Sequence, residues 1–157
     1  MHEVIAKSKI FSQILVAVDE LKTSTDSTNK AIDYAVNMAQ DAQLIILHVI
    51  RADVRVHGIN PPRHVIEMKK EAEASFAKII EKIHENADIQ NKETLQIKTD
   101  IIASVEIADA IVSYAKDKDI DLIVTGTRGR NKLTSAFLGS VASDVITCAH
   151  CPVLIAK

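Results

Sequence analysis

Five short apolar runs, separated by stretches with helical periodicity, are the feature of this sequence that most restricts its fold. The runs lie at residues 14–18, 44–50, 95–102, 122–125 and 153–156. Four of them are nearly unbroken and rich in β-branched residues, which is typical of strands buried on both faces. The third alternates, because Gln96, Lys98 and Asp100 interrupt it, and this pattern predicts a strand at the edge of the sheet.

The intervening stretches carry apolar residues at every third or fourth position, which is the period of an amphipathic helix. The predicted helices cover residues 31–39, 65–83, 105–115 and 141–149. Pro61 and Pro62 mark the start of the second helix. Ser104 is the predicted N-cap of the third, and Asp26 or Ser27 that of the first. Helices that alternate with strands predict a parallel sheet of right-handed βαβ units, covered on both faces.

Length and charge exclude several classes of protein. A chain of 157 residues, 47% of them hydrophobic, can build one core, so we expect a single domain over residues 1–157. The net charge of −2, from 19 basic and 21 acidic residues, disfavours nucleic-acid and membrane-surface partners. No apolar run has the length of a membrane span, and residues 1–11 lack the apolar part of a secretory signal. Because the two cysteines also fit a reducing compartment, we expect a cytoplasmic protein.

The loop after the fourth predicted strand concentrates the residues that a phosphate site requires. In parallel sheets of this kind, ligands bind at the carboxyl ends of the strands. Gly126 and Gly129 lie in this loop, and Gly139 with Ser140 opens the last predicted helix. Glycine lets the backbone approach an anion closely. A helix N-terminus binds phosphate through its free N–H groups and its dipole, and the Ser140 hydroxyl would add a donor.

Three basic side chains in the same loop, Arg128, Arg130 and Lys132, could neutralise a phosphate chain. A charged surface loop would look the same, and this alternative is favoured for the three side chains taken together. Arg128 and Arg130 are the candidates for phosphate contact. Two close glycines on their own are as well explained by the end of a strand as by a phosphate site. The addition of Gly139-Ser140 at a helix start is what favours the phosphate site.

The spacing G-x2-G-x9-G-S, which begins at Gly126, resembles the G-2x-G-9x-G-(S/T) signature of the universal stress protein family, in its ATP-binding branch. The resemblance covers residues 11–157 and includes the segments 16–19, 47–49 and 150–155. It implies a Rossmann-like three-layer α/β fold of the adenine nucleotide alpha hydrolase type, with a five-stranded parallel sheet in the order 3-2-1-4-5. It also implies ATP as the ligand and homodimers formed through the last strand.

The resemblance further implies which residues meet the nucleotide. Ala17 and Asp19 lie at the end of the first strand, where the family's acidic residue sits beside adenine and ribose. Asp19 would also hold Mg²⁺ through water, and its alternative role is helix capping or a plain surface carboxylate. The resemblance completes the cofactor-binding set, for adenine, ribose and phosphates, with Val49, Thr125, Gly126, Gly129, Gly139, Ser140 and Val141. The positive charge of the loop adds Arg128 and Arg130 to the set.

Two departures from the family pattern affect this pocket. Ala142 stands where many relatives have a hydroxyl residue, so one phosphate donor is absent. The segment 19–27 is longer than the usual turn and lacks glycine, which alters the rim of the adenine pocket. A second long loop, residues 51–63, is a candidate lid.

The cysteines and three of the histidines could have redox or metal-binding roles, or could be ordinary packed or solvated side chains. Cys148 and Cys151 have the C-x-x-C spacing of a redox dithiol or half a zinc site, but no second ligand pair accompanies them, so packing is predicted. His57 and His64 lie at or near a loop and are predicted to be solvated. His48 lies within an apolar strand and is predicted to be a hydrogen-bonded core histidine.

The predicted function is a nucleotide-binding stress or signalling module with no assigned catalytic residue. The sequence contains neither G-x-x-x-x-G-K-(S/T) nor G-x-S-x-G. Nucleotide is expected to order the loops at 126–138 and 51–63 and so change the surface offered to protein partners. One alternative is a slow ATPase or a self-phosphorylating protein, with Ser140, Thr134 or Ser135 as acceptor. Another is a nucleotide-independent dimeric scaffold.

The last apolar run predicts the dimer independently. Pro152 is tolerated as the first residue of a strand, and residues 153–156 form an apolar edge that invites pairing with a second copy. Shielding of this edge by the first dozen residues is the alternative.

Overall fold

The computed structural model of the chain describes residues 10–19, 26–39, 41–53, 61–86, 95–127 and 138–157. Strands and helices alternate along it, as the apolar runs predict. The elements are β1 (Gln13–Val18), α1 (Asp26–Met38), β2 (Gln43–Arg51), α2 (Arg63–Asn86), β3 (Gln96–Ser104), α3 (Ile107–Asp117), β4 (Leu122–Gly126), α4 (Ser140–Cys148) and β5 (Val153–Ala156). No helix of these described parts is both long and apolar enough to cross a membrane.

The strands form one parallel sheet in the order β3-β2-β1-β4-β5. This confirms the predicted order and the predicted edge position of β3. The chain winds outward from β1 in one direction through β2 and β3, and in the other through β4 and β5. The carboxyl ends of β1 and β4 therefore border the switch point at which a doubly wound sheet binds its ligand.

The apolar runs are unbroken because each face of the sheet packs on a separate pair of helices. Along β1, Ile14 and Val16 belong to the core beneath α1 and α2, whereas Leu15 and Ala17 belong to the core beneath α3 and α4. A central strand with helices on both sides must be apolar at consecutive positions.

The predicted N-cap of α3 is wrong by two residues. The N-cap is Glu106, which makes no side-chain capping bond. Ser104 lies at the end of β3, where its hydroxyl accepts from the Glu106 N–H at 3.2 Å and donates to the Glu106 carbonyl at 3.1 Å. The serine thus closes the connection into the helix. For α1, which begins at Asp26, capping by Asp26 or Ser27 stays a prediction.

A polar contact joins α3 to the edge strand. The Tyr114 hydroxyl donates to Asp100 Oδ2 at 3.0 Å. Burial, this hydrogen bond and the charge of Asp100 together raise the pKa of Tyr114 from 10.0 to about 12. The neutral phenol is the form that the fold favours. Its contribution to stability is therefore complete below pH 10 and is lost as the pH rises through about 12.

We expect the Tyr114 phenol to titrate at about pH 12 in the folded protein. The chain has two tyrosines and no tryptophan, so Tyr34→Phe leaves Tyr114 as the single tyrosine for ultraviolet detection of tyrosinate. Adding Asp100→Asn should lower the midpoint part of the way, because the carboxylate charge is removed while burial, the largest cause of the raised pKa, remains. A midpoint of 10 before that second change, with circular dichroism showing the protein still folded, would contradict the assigned contact.

Candidate functional site

We call the space between the carboxyl ends of β1 and β4 the crevice. The residues at its base, which form its floor, have small or hydroxyl side chains. Ala17 of β1 and Thr125 of β4 are neighbours in register, and with Val49 of β2 they lie on the sheet face that α3 and α4 cover. Their exposures are 8, 9 and 7%, respectively. The pairing of β1 with β2 ends at Val18 and His48, whereas β2 continues beside β3 to Arg51. Val49 is therefore the first β2 residue beyond the end of β1, on the wall of the crevice.

The start of α4 supplies hydrogen-bond donors beside this floor. Gly139 is the N-cap, with extended φ and ψ of −64° and 156°. Its carbonyl accepts the first intrahelical bond, from Ser143, so the amides of Ser140, Val141 and Ala142 have no acceptor within the helix. The Gly139 amide itself donates to the Thr127 carbonyl at 2.8 Å. The donors of this helix start are therefore the three amides that follow Gly139.

The main chain of Thr127 joins the two ends of the loop between β4 and α4, which we call the glycine loop. Its N–H donates to the Ala156 carbonyl of β5 at 3.0 Å, while its carbonyl accepts from Gly139. The end of β5 is thereby tied to the start of α4. Residues 128–137 lie outside the described residues, so the roles predicted there stay predictions, namely those of Arg128, Gly129, Arg130, Lys132, Thr134 and Ser135.

Gly126 is explained by the packing of α1. A Cβ atom at this position would lie 2.8 Å from Ser27 Oγ and 3.2 Å from both the carbonyl carbon and the Cβ of Ser27. The sequence predicted close approach of the backbone to an anion. The close approach that the structure describes is that of the first turn of α1, which reaches the end of β4 because residue 126 has no side chain, and the approach of an anion stays a prediction.

Gly126→Ala is expected to lower the free energy of unfolding by about 1–3 kcal/mol, because the added methyl group must push α1 away from β4. Urea unfolding followed by circular dichroism measures the change. Ser27→Gly removes two of the three close atoms, so the same substitution should cost less in that background. Equal costs in the two backgrounds would show that this contact does not determine the effect.

Asp19 is exposed, directly beyond β1. Its Oδ1 accepts from the Thr28 hydroxyl at 3.4 Å, and Thr28 is buried in the first turns of α1. The carboxylate thus lies near the N-terminus of α1. Sequence reasoning missed Thr28. The available signal was the polar run at residues 26–28, where a helix follows a strand.

Two further side chains fix the neighbouring strand ends. His48 Nδ1 lies 3.0 Å from the Val18 carbonyl, and because a carbonyl only accepts, Nδ1 carries the proton. The predicted hydrogen bond of His48 is confirmed. Arg51 Nη1 donates to the Val105 carbonyl at 3.2 Å and links the end of β2 to the start of α3. This arginine was considered only as the start of a lid, and residues 54–60 of that loop lie outside the described residues.

The two cysteines lie at the end of α4 and just before β5, at the opposite end of these elements from the carboxyl edge. Cys148 is exposed at the end of α4, and Cys151 packs against the core beneath α3 and α4. Burial, followed by the charge of Asp121, raises the pKa of the Cys151 thiol, which keeps it protonated. His64 is exposed on α2, and His57 is outside the described residues. Within the described residues, no three His, Cys, Asp or Glu side chains form a metal-binding group.

This architecture defines a Rossmann-like α/β protein in which the ends of β1 and β4 border the point where the winding reverses. The chain belongs to the universal stress protein family, whose family model matches residues 11–157.

Relatives of known name and structure are similar over nearly the whole chain. Universal stress protein YxiE of Bacillus subtilis is 37% identical over an alignment of 156 positions, which covers 94% of this chain and 100% of that protein. The structure of universal stress protein UspA from Lactobacillus plantarum has 28% identity and a TM-score of 0.63, covering 93% of this chain and 97% of that one. A universal stress protein from Archaeoglobus fulgidus, solved in complex with dAMP, has 25% identity and a TM-score of 0.63, covering 94% and 99%.

Proposed function

We propose that this universal stress protein binds ATP, with Mg²⁺, in the crevice between the ends of β1 and β4, and acts as a nucleotide-dependent stress or signalling module in the cytoplasm. The observation that carries the proposal is the start of α4, whose leading amides lack acceptors within the helix beside a floor of small side chains. A helix N-terminus in this position favours phosphate through its amides and its dipole. The dAMP complex of the Archaeoglobus fulgidus relative supports an adenine nucleotide as the ligand.

Each residue of the crevice has a role in this proposal. The amides of Ser140 and Val141 donate to phosphate oxygens, and the Ser140 hydroxyl adds a donor. Ala17 leaves room for the nucleoside above the sheet, and the main chain of Val49 meets adenine. The glycine loop, with Thr125, Gly126, Arg128, Gly129 and Arg130, encloses ribose and phosphates, and Gly139 sets the start of α4.

The donor set of the crevice fits Mg²⁺ bound to a nucleotide. Mg²⁺ usually keeps several waters and is held by one or two carboxylates together with substrate phosphates. The exposed carboxylate of Asp19 at the crevice meets that requirement through water. The ion would neutralise phosphate charge, and the α4 amides would orient the phosphate chain.

Titration calorimetry with ATP, ADP, AMP and dAMP tests the proposal, with GTP as the control for base selectivity. We expect saturable heat with the adenine nucleotides and a gain for ATP when Mg²⁺ is present. Absence of heat with every adenine nucleotide would leave the dimeric scaffold as the explanation. Incubation with γ-labelled ATP distinguishes a binding module from a slow ATPase or a self-phosphorylating protein, because a binding module neither releases nor acquires label.

We also propose homodimers formed through β5, the edge strand beside β4. The carbonyls of Pro152 and Ala156 accept bonds from the β4 side, so residues 153 and 155 direct their main-chain groups outward. The side chains of Val153, Leu154 and Ile155 are half-buried. An edge of this kind favours pairing with a second copy.

Ile155→Pro should convert such dimers into monomers at micromolar concentration. The substitution removes an outward N–H and leaves the bonds to β4 intact. Sedimentation velocity is expected to show half the mass of the parent protein. An unchanged mass, with an unchanged circular dichroism spectrum, would place any dimer interface elsewhere.

A further inference from the structure

The opposite edge of the sheet, formed by β3, is longer than the β5 edge. β3 has nine residues, whereas β5 has four. The Ser104 carbonyl points towards β2, where it accepts from the Ala52 N–H at 3.1 Å. Because main-chain groups alternate in direction along a parallel strand, residues 97, 99, 101 and 103 direct theirs away from the sheet.

Residue types along this edge are arranged symmetrically on the two sides of Thr99. Lys98 and Asp100 flank it with opposite charges, and Ile97 and Ile101 follow on either side. In an antiparallel pair of two such strands centred on Thr99, each lysine faces the aspartate of the other strand, each Ile97 faces an Ile101, and threonine faces threonine. All three are cross-strand combinations that stabilise a sheet.

We propose that the β3 edges of two copies of this chain pair antiparallel about Thr99. The outward residues Ile97, Thr99 and Ile101 then form the hydrogen-bonded pairs. Lys98 and Asp100 form the non-hydrogen-bonded pairs, in which opposing side chains lie closer together. The attraction between Lys98 and Asp100 of the two copies is therefore strongest in this register.

The contacts of Asp100 suit both the single and the paired chain. Its Oδ1 accepts from the outward N–H of Ile101 at 2.9 Å, which covers this edge donor while the chain is alone. Its Oδ2 accepts from the Tyr114 hydroxyl at 3.0 Å, which holds the carboxylate at the edge. On pairing, a carbonyl of the second copy takes over the Ile101 N–H, and Oδ1 turns to Lys98 of that copy. The Ile101 N–H and Asp100 Oδ1 therefore each have a partner in both states.

The β3 interface would be a second two-fold contact, across the sheet from β5. A protomer that pairs at both edges joins dimers into longer continuous sheets. The alternative is that Lys98 and Asp100 serve only to keep this edge unpaired, as charges on edge strands often do. The two possibilities differ in what charge reversal does to association.

Charge reversal in the Ile155→Pro background tests the proposal, because the β5 edge cannot contribute there. Lys98→Asp places two negative pairs across the interface, and Asp100→Lys places two positive pairs. Each variant alone should associate about tenfold or more weakly than the background protein, whereas their equimolar mixture restores opposite charges at both positions. Sedimentation equilibrium up to millimolar concentration should show dimers for the background protein and for the mixture. The proposal is overturned if the background protein stays monomeric, or if the mixture associates no better than its components.

Thr99→Pro provides a second variant that does not alter charge. The Thr99 N–H faces outward, so proline there removes no bond to β2 but blocks the centre of the interface. Asp100→Lys also loses the bond to Tyr114, and circular dichroism shows whether it folds. If it does not fold, dimers in the background protein that are lost in both Lys98→Asp and Thr99→Pro still support the interface. Dimers that persist in those two variants contradict it.

Discussion

Replacing Ser140 by proline is expected to weaken ATP binding by about tenfold to a hundredfold while the protein stays folded. Ser140 is the first helical residue of α4, a position that proline favours because its missing N–H has no acceptor within the helix. Gly139 already has the extended conformation that a residue before proline adopts, with φ −64° and ψ 156°. The substitution therefore removes a donor at little cost to the helix. A hydrogen bond to a charged group contributes about 1.5–3 kcal/mol, which corresponds to that range of affinity.

The matched control for this prediction is Ser140→Ala, which removes the hydroxyl and keeps the amide. Calorimetry with ATP should place its affinity between those of the parent protein and the proline variant, and thermal unfolding should show that both variants are folded. If the proline and alanine variants bind ATP equally well, the amide of residue 140 makes no contact with phosphate. The helix start would then not be the phosphate site.

Most of the fold was predictable because the strongest pattern in the sequence has a single physical explanation. A run such as residues 44–50 is apolar at consecutive positions only when helices cover both faces of its strand, and the structure has that arrangement. The interrupted run that became β3 indicated its edge position for the same reason, since Gln96, Lys98 and Thr99 are exposed there. Patterns of burial extend over many residues, so one misleading residue does not hide them.

The candidate site was less predictable because its contacts depend on single atoms. Gly126 has no side chain, so another group can approach its backbone closely, but the sequence does not indicate whether that group is an anion or a helix. The packing of Ser27 against it is a tertiary contact. The described bonds of Thr127 are made by its main chain, which every residue possesses, so no residue type marks the role. Ser104 was predicted as an N-cap because its side chain can make that bond, yet α3 begins three residues later.

Stability and binding should be separable, because the core beneath α1 and α2 lies on the sheet face opposite the crevice floor. Phe76 of α2 is 3% exposed in that core, and no other aromatic side chain among the described residues is buried. It holds the long helix against the sheet. The loss of its ring would leave a cavity that the rigid strands beneath it can fill only in part.

Phe76→Ala is therefore expected to lower the free energy of unfolding by about 3–5 kcal/mol, measured by urea unfolding at fixed protein concentration. Phe76→Leu keeps most of the volume and should cost about 1.5 kcal/mol or less. Met68→Ala on the same helix serves as the matched surface control, because Met68 is 41% exposed and should change stability little. At a temperature where the alanine variant is folded, its affinity for ATP should equal that of the parent, the reverse of the result expected for Ser140→Pro. If Phe76→Ala weakens ATP binding as strongly as it weakens the fold, the two faces of the sheet are coupled. The affinities of the Ser140 variants then have to be corrected for their stability before any loss is assigned to the phosphate contact.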